Sequence, residues 1–187
     1  MNVLLAAEYI TMDYSIDEHK HRFAAWAAGR AASVIGCRFP VEDAKAILEK
    51  AEMNLLICSP DNLPLPQNMD NIHREWRYKI IKAAADFPFT HGVAAKLINV
   101  YFKAAFVCGG YHNHERVRAM HPPIDSQLLE ELSKRNIGGR KNIWNEARII
   151  RWSKFTSGQY EKVIHSIRAS MEGSALWEVE KYWKGYQ

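Results

Sequence analysis

Cysteine is scarce in this sequence, with only Cys37, Cys58 and Cys108 among its 187 residues. Their number is odd and their spacing is wide, so they match neither the paired cysteines of a zinc site nor a disulfide framework. Unpaired cysteines are typical of proteins in a reducing compartment. We therefore expect three buried free thiols in a cytoplasmic protein.

Long apolar runs are absent as well. No stretch approaches the roughly 18 uninterrupted apolar residues of a membrane-spanning helix. The first residues also lack the basic start and long apolar run of a signal peptide. The sequence therefore predicts neither a membrane helix nor a leader. Internal repeats, low-complexity tracts and alternating patterns long enough for strands are lacking too.

The sequence contains instead a series of apolar patterns with helical spacing. A capping box at 15–18 opens a predicted helix that runs to about residue 33, with Phe23, Ala27, Ala31 and Val34 inward. A second helix follows Pro40, and more are predicted at about 70–86, 93–107, 125–136, 141–154, 158–171 and 175–184. The predicted caps are Asp70 or Asn71 for the helix at 70–86, a capping box of Thr156 with Gln159 for that at 158–171, and Ser174 for the last. Hydrophobic residues make up 48% of the chain, enough for a core. The fold class is all-α: one compact multi-helix domain over 1–187, or two lobes, with a hairpin-like segment at about 70–108 and an aspartate helix at 125–136.

The helix predicted at 93–107 carries an unusual lysine. It is apolar nearly all round and should be central, except for one stripe formed by Lys96, Asn99 and Lys103. In the first turn of a buried helix, the dipole and burial both disfavour a lysine cation, and a neutral amine is a nucleophile. The more ordinary interpretation is a lysine whose stem covers apolar surface while its amine reaches solvent.

Asp125 is the second candidate, because of the residues that precede it. Pro122 and Pro123 hold the chain extended, and Ile124 can anchor it in the core. The carboxylate is then presented at a helix N-terminus, where free N–H groups and the dipole keep it ionised. An N-cap is the commoner job of such an aspartate, and only a partner lysine gives it another.

Together these segments resemble the helix-hairpin-helix DNA glycosylases, most closely the compact archaeal type that acts on 8-oxoguanine with a catalytic lysine. That family has a Gly-hydrophobic-Gly turn, one further residue and then the lysine. Gly92-Val93-Ala94-Ala95-Lys96 fits, with alanine for the second glycine. The family also has a Pro-Val-Asp segment that opens the next helix, and Pro123-Ile124-Asp125 fits. The resemblance covers roughly residues 70–135.

The resemblance implies a base-excision enzyme, a DNA glycosylase and AP lyase that flips a damaged base out of double-stranded DNA. Lys96 attacks the sugar C1′ in this mechanism, and Asp125 stabilises the developing positive sugar and assists proton transfer. The product is a Schiff base, and no cofactor is required. His91, Gly92 and Ala94 fall where the family contacts the DNA backbone.

A basic stretch at 134–154 is compatible with DNA contact. It holds seven basic residues and one acid, with two tryptophans among them, in a chain of net charge +4. Basic residues interleaved with aromatics can track phosphates and stack on bases. A solvated helix face with core tryptophans explains the same pattern equally well. The residues that we expect to contact DNA are Arg140, Lys141, Arg148 and Arg151.

Two other functions fit parts of the sequence. Arg116 and His121 have the Arg-x4-His spacing of the HEPN ribonucleases, although the prolines directly after them oppose the helix that this motif needs. A non-catalytic helical module could bind DNA or a protein through the basic stretch. The loop histidines His112, His114 and His121 lack the spacing of metal ligands, so we predict no metal site.

Overall fold

The computed structural model describes residues 14–185 and is all-helical over that part of the chain, as the sequence predicts. The residues on which the prediction of no leader rests lie outside this range. The longer helices are α1 (Ile16–Ala32), α2 (Val41–Lys50), α3 (Met69–Ala83), α4 (His91–Phe102), α5 (Glu115–Arg118), α6 (Ser126–Lys134), α7 (Lys141–Ile150) and α8 (Ser157–Ser170). A π-helical run, Lys103–Tyr111, continues α4, and 3-10 segments include Trp152–Lys154 and Leu176–Tyr182.

Side-chain caps explain why several helices begin where they do. The Ser15 hydroxyl accepts the N–H of Glu18 at 3.1 Å, and the Asp125 carboxylate accepts that of Leu128 at 2.9 Å. Each bond satisfies an N–H group that the helix itself leaves unpaired. Before α8, Thr156 and Gln159 cap each other reciprocally, which confirms that predicted capping box. Two other predicted caps are wrong: α3 begins at Met69, ahead of Asp70, and Ala175 rather than Ser174 precedes the last 3-10 segment.

The buried face of α1 differs from the predicted stripe. Phe23 is 57% exposed, whereas the residues that face the interior are mainly alanine and glycine. A Cβ on Gly29 would lie 2.8 Å from the Ala44 Cβ, so α1 and α2 pack too closely for larger side chains. Small residues occupy the buried face of α1 because they allow α1 and α2 to approach each other closely. The predicted stripe of Phe23, Ala27 and Ala31 lines a cavity instead.

Two clusters of buried hydrophobic residues make up the core. The first unites α1 to α4 and the chain up to Met120, and the second unites α6 to α8 and the last 3-10 segment. Helix α4 lies between them, because Leu97 and Ile98 pack in the first cluster while Ala95 packs in the second. A side chain on α4 can therefore stand at the junction of the two clusters.

The combined helical run His91–Tyr111 is long and apolar enough, by length and composition, to cross a membrane. The mean hydropathy of its most apolar window is 1.3, and 67% of that window is buried inside the protein. Lys96, Asn99 and Lys103 interrupt the run, so it is not an uninterrupted apolar stretch of the kind that the sequence lacks. A central core helix has the same character, and α4 packs against α1, α3 and α8.

The three cysteines are free, as predicted, but only Cys37 is buried. Burial raises the pKa of its thiol. Cys58 and Cys108 are exposed, which corrects the expectation that all three lie in the core. The π-helical run brings Cys108 to the surface because it ends at Gly110, whose φ of 92° is left-handed.

Candidate active site

The structure brings Lys96 and Asp125 into direct contact. The Lys96 amine donates to the Asp125 Oδ2 across 3.0 Å, with 8% of the lysine side chain and 18% of the aspartate side chain exposed. Helix α4 begins two residues earlier than predicted, so Lys96 stands in its second turn rather than its first. The helix dipole is weak there, and burial is the stronger of the two effects inferred from the sequence.

Asp125 is held from two other directions. Its Oδ1 accepts the N–H of Leu128 as the cap of α6, and its Oδ2 also accepts the indole N–H of Trp183 at 2.9 Å. Nothing in the sequence patterns indicated the tryptophan, which reaches the site from the C-terminal end of the chain. The carboxylate is thus fixed on one side and turned towards Lys96 on the other.

The pair faces a cavity of about 270 Å³, which we call the lysine cavity. Its lining residues are Phe23, Ala27, Ala31, Lys96, Val100, Lys103, Ala104, Cys108, Pro123, Asp125, Glu180 and Trp183. Among residues 14–185 the Lys96 amine has Asp125 as its only hydrogen-bond partner. An ammonium group has three donors, so two remain for a molecule in the cavity.

A second ion pair lies in the same cavity. Lys103 donates to Glu180, and the Lys103 amine is 5.7 Å from the centre of the Trp183 ring. Burial raises the pKa of Glu180, against the opposing effect of the Lys103 charge. The predicted polar stripe on α4 is therefore divided. Lys96 and Lys103 line the cavity, whereas Asn99 is absent from its lining and donates instead to the Pro122 carbonyl in a separate polar network.

A larger groove of about 890 Å³ adjoins the lysine cavity, and we call it the basic groove. Its lining residues are Ser33, Val34, Ile35, Arg38, Ser126, Leu129, Glu130, Asn145, Arg148, Ile149, Arg151, Trp152 and Ser153. Trp152 separates the two spaces: it lines the groove, and the centre of its ring lies 5.6 Å from the Lys96 amine of the cavity. The two spaces are also close in sequence, because Asp125 lines the cavity and Ser126 lines the groove.

The predicted DNA-contacting arginines and lysine divide between the basic groove and other surfaces. Arg148 and Arg151 line the groove, together with Arg38, which the sequence gave no reason to select. None of these three arginines forms an ion pair with another residue in the described part of the chain. Arg140 and Lys141 are absent from the groove lining. Trp144 is a core residue, whereas Trp152 is partly exposed.

The expectation that Gly92 and Ala94 contact DNA phosphates is not met. Both are buried, the Gly92 N–H donates to the Phe155 carbonyl and the Ala94 N–H donates to that of Thr90. A Cβ on Gly92 would lie 1.8 Å from the Trp152 carbonyl oxygen. Glycine is needed here because α4 packs directly against the chain after α7. His91 is partly exposed, and its ring lies edge-on to Tyr78.

Arg116 and His121 do not form a joint site. Arg116 donates to the Asp61 and Leu63 carbonyls, whereas the buried His121 is bonded to Asp70 and Tyr160. Burial lowers the pKa of His121. A histidine enclosed in this way cannot reach an RNA phosphodiester. Over residues 14–185 no group of three or more potential metal ligands is present.

Sequence reasoning missed a buried polar network behind α4, which we call the polar seam. Its members are Asp70, His73, Arg74, Arg77, Asn99, His121, Ser157, Tyr160, Glu161 and Arg168. They come from α3, α4, α8 and the chain before Pro122, and so connect the two hydrophobic clusters. The i, i+4 spacing of His73 and Arg77 on the inner face of α3 was the only signal available.

The chain matches no family model, no curated protein and no solved structure. The chemistry of the site is therefore argued from its own geometry. An amine with unused donors and a carboxylate at 3.0 Å, beside a cavity and near a basic groove, are parts that an amine-nucleophile site requires.

Proposed function

We propose that this protein removes a damaged base from double-stranded DNA and cleaves the strand through a Schiff base on Lys96. It would thus be a base-excision glycosylase and AP lyase of the helix-hairpin-helix kind. The observation that carries the proposal is the contact between the Lys96 amine and the Asp125 carboxylate, 3.0 Å apart in the lysine cavity, with a groove lined by arginines nearby.

The reaction begins with a proton transfer from the Lys96 ammonium to the Asp125 carboxylate. The amine lone pair then attacks the sugar C1′, and the bond from C1′ to the base breaks. The electron pair of that bond leaves with the base, which takes up the proton from Asp125. The Asp125 carboxylate, ionised again, stabilises the positive charge that develops on the sugar. The sugar ring opens to the iminium, and loss of a C2′ proton expels the 3′ phosphate, which nicks the strand.

The lysine cavity suits a flipped base. Such a base is flat and apolar on its faces and polar at its edge. Phe23 and Trp183 offer aromatic surfaces to the faces, and the Lys103–Glu180 pair offers a donor and an acceptor to the edge. The Lys103–Glu180 pair has no hydrogen bond to Asp125, so it bears on the choice of base rather than on the chemistry at C1′.

The basic groove suits the DNA strand on either side of that base. Arg38, Arg148 and Arg151 stand on its opposite walls without ion pairs to other described residues, so they are available to phosphates. Contacts of this kind release counterions, and affinity should therefore fall steeply with salt concentration.

Borohydride trapping on duplex DNA tests the proposal. Duplexes that carry 8-oxoguanine, other oxidised or deaminated bases, or an abasic site are incubated with the protein, and any Schiff base is reduced to a stable adduct. We expect an adduct with the natural chain and a loss of about a thousandfold or more in Lys96→Gln. Lys79→Gln, which removes an exposed lysine of the same charge, is the matched control and should trap normally.

No adduct across the whole panel would reject the proposal. Salt-sensitive DNA binding without an adduct, weakened by Arg148→Ala and Arg151→Ala, would instead identify a non-catalytic DNA-binding module. The ribonuclease alternative requires cleavage of RNA that His121→Ala abolishes, and the burial of His121 argues against it.

A further inference from the structure

The main chain before Asp125 has little hydrogen bonding of its own. Residues 121–124 are irregular and buried, and Pro122 and Pro123 have no N–H to donate. In the described residues, the only hydrogen bond of the main chain of this segment is accepted by the Pro122 carbonyl, from the Asn99 Nδ2 at 2.9 Å. The side chains of His121 and Ile124 attach the segment to the polar seam and to the second hydrophobic cluster, whereas the bond from Asn99 ties its main chain to α4.

Asn99 is well suited to hold this segment. It is buried and lies three residues after Lys96 on α4. One helix therefore carries both the Lys96 amine and the Asn99 amide that binds the segment before Asp125. Both of its N–H donors are used, one by Pro122 and the other by the Tyr160 hydroxyl at 2.9 Å. Its Oδ1 accepts from the His73 Nε2 at 2.8 Å.

The direction of these bonds is fixed by Arg77, which can only donate. Its Nη1 donates to the His73 Nδ1 at 3.1 Å, so the neutral His73 carries its proton on Nε2 and donates to Asn99. Burial lowers the pKa of His73 and keeps it neutral. The Asn99 amide therefore cannot turn round, and its N–H groups face Pro122 and Tyr160.

The geometry points to Asn99 as a positioning residue that sets the separation between the Lys96 amine and the Asp125 carboxylate. It acts through the Pro122 carbonyl and touches neither substrate nor reacting atoms. The reaction that this separation serves rests on the proposed function, whereas the separation itself is a property of the folded chain.

Two variants separate positioning from general damage to the seam. Asn99→Leu removes the bond to Pro122, whereas Tyr160→Phe disturbs the same network and leaves that bond in place. In crystal structures we expect the Lys96–Asp125 contact to be lost in Asn99→Leu and kept in Tyr160→Phe. The inference is overturned if the Lys96–Asp125 contact persists in Asn99→Leu. It is also overturned if the contact is lost equally in both variants.

Trapping kinetics supply the second measurement, on a duplex with an abasic site and after circular dichroism has shown that each variant is folded. We expect Asn99→Leu to lower the rate at saturating DNA on the order of 10- to 100-fold, with unchanged DNA affinity, because misplacement affects the step after binding. Tyr160→Phe should react near the natural rate. Equal rates overturn the inference; absence of any adduct with the natural chain rejects the proposed function instead, and the crystal distances then decide the role of Asn99.

Discussion

The lysine cavity and the polar seam each contain a buried cation, Lys96 in the cavity and Arg77 in the seam. In the seam, Arg77 has several partners and donates to His73, Ser157 and Glu161. In the cavity, Lys96 has one hydrogen-bond partner within residues 14–185 and open space beside it. A buried charged group whose hydrogen bonds are all made within the protein stabilises the fold. A buried charged group with unused donors beside a cavity is the better candidate for a catalytic residue.

The largest expected effect lies in the seam. Arg77 is fully buried, and Arg77→Met should lower the free energy of unfolding by about 3–5 kcal/mol, because it leaves Glu161 and His73 without a buried partner. Urea denaturation measures the change. Arg74→Met removes a more exposed partner of the same Glu161 and should lower the free energy of unfolding far less, because solvent screens that pair. If both variants lost the same free energy of unfolding, the burial of Arg77 would not be what makes its ion pair with Glu161 important.

The next effect lies in the cavity and concerns rate rather than stability. Asp125→Asn keeps a side chain that can cap α6 but removes the charge beside Lys96. We expect the trapping rate on abasic DNA to fall about 100-fold, which is the usual effect of losing one charge-stabilising group. The midpoint of thermal unfolding should change little. A variant that unfolds before it loses activity would show that Asp125 is only a cap.

The seam should make the protein sensitive to mild acid. Burial lowers the pKa of both His73 and His121 from the ordinary value of 6.5. Below about pH 6.5 these histidines therefore bind protons in the unfolded chain but stay neutral in the folded chain. Stability then falls as the pH falls, by up to about 1.4 kcal/mol per pH unit for each histidine.

Denaturant unfolding between pH 5 and 7.5 measures this slope. His73→Gln should flatten it, and His165→Gln, at an exposed position, controls for the loss of a histidine. The carboxylates of the seam act in a lower range, because hydrogen bonds from Arg74 lower the pKa of Glu161 to about 2 and its contribution is lost only below about pH 4.5. An unchanged slope in His73→Gln would contradict the assignment.

The smallest stability effect is expected at the second ion pair of the cavity. Glu180→Gln should change the free energy of unfolding by less than about 1 kcal/mol, because burial already raises the pKa of Glu180 and a third of the Lys103 side chain is exposed. Its effect should appear in the choice of base. Trapping on a damaged-base duplex should weaken while trapping on an abasic duplex, which has no base to bind, stays normal.

Local signals in the sequence predicted more of the site than of the fold around it. Asp125 caps its helix, and Lys96 lies on a central apolar helix, because both features depend on residues within a few positions. The sequence pattern gave the wrong buried face for α1. Its spacing predicted that Phe23 faces the core, whereas the structure buries mainly the alanines of this helix. The pattern failed again at Gly92, which serves packing against Trp152 rather than a phosphate.

The sequence by itself determined the helical class, the free cysteines, the caps at Ser15, Asp125 and Thr156, and the two residues that meet as an ion pair. Only the tertiary structure decided which faces are buried, that Trp183 and Glu180 reach the site, and that Asn99 joins the polar seam instead of lining the cavity. The reason is physical: caps and helical spacing act over a few residues, whereas these contacts join segments 23 to 77 positions apart and depend on how closely the helices pack.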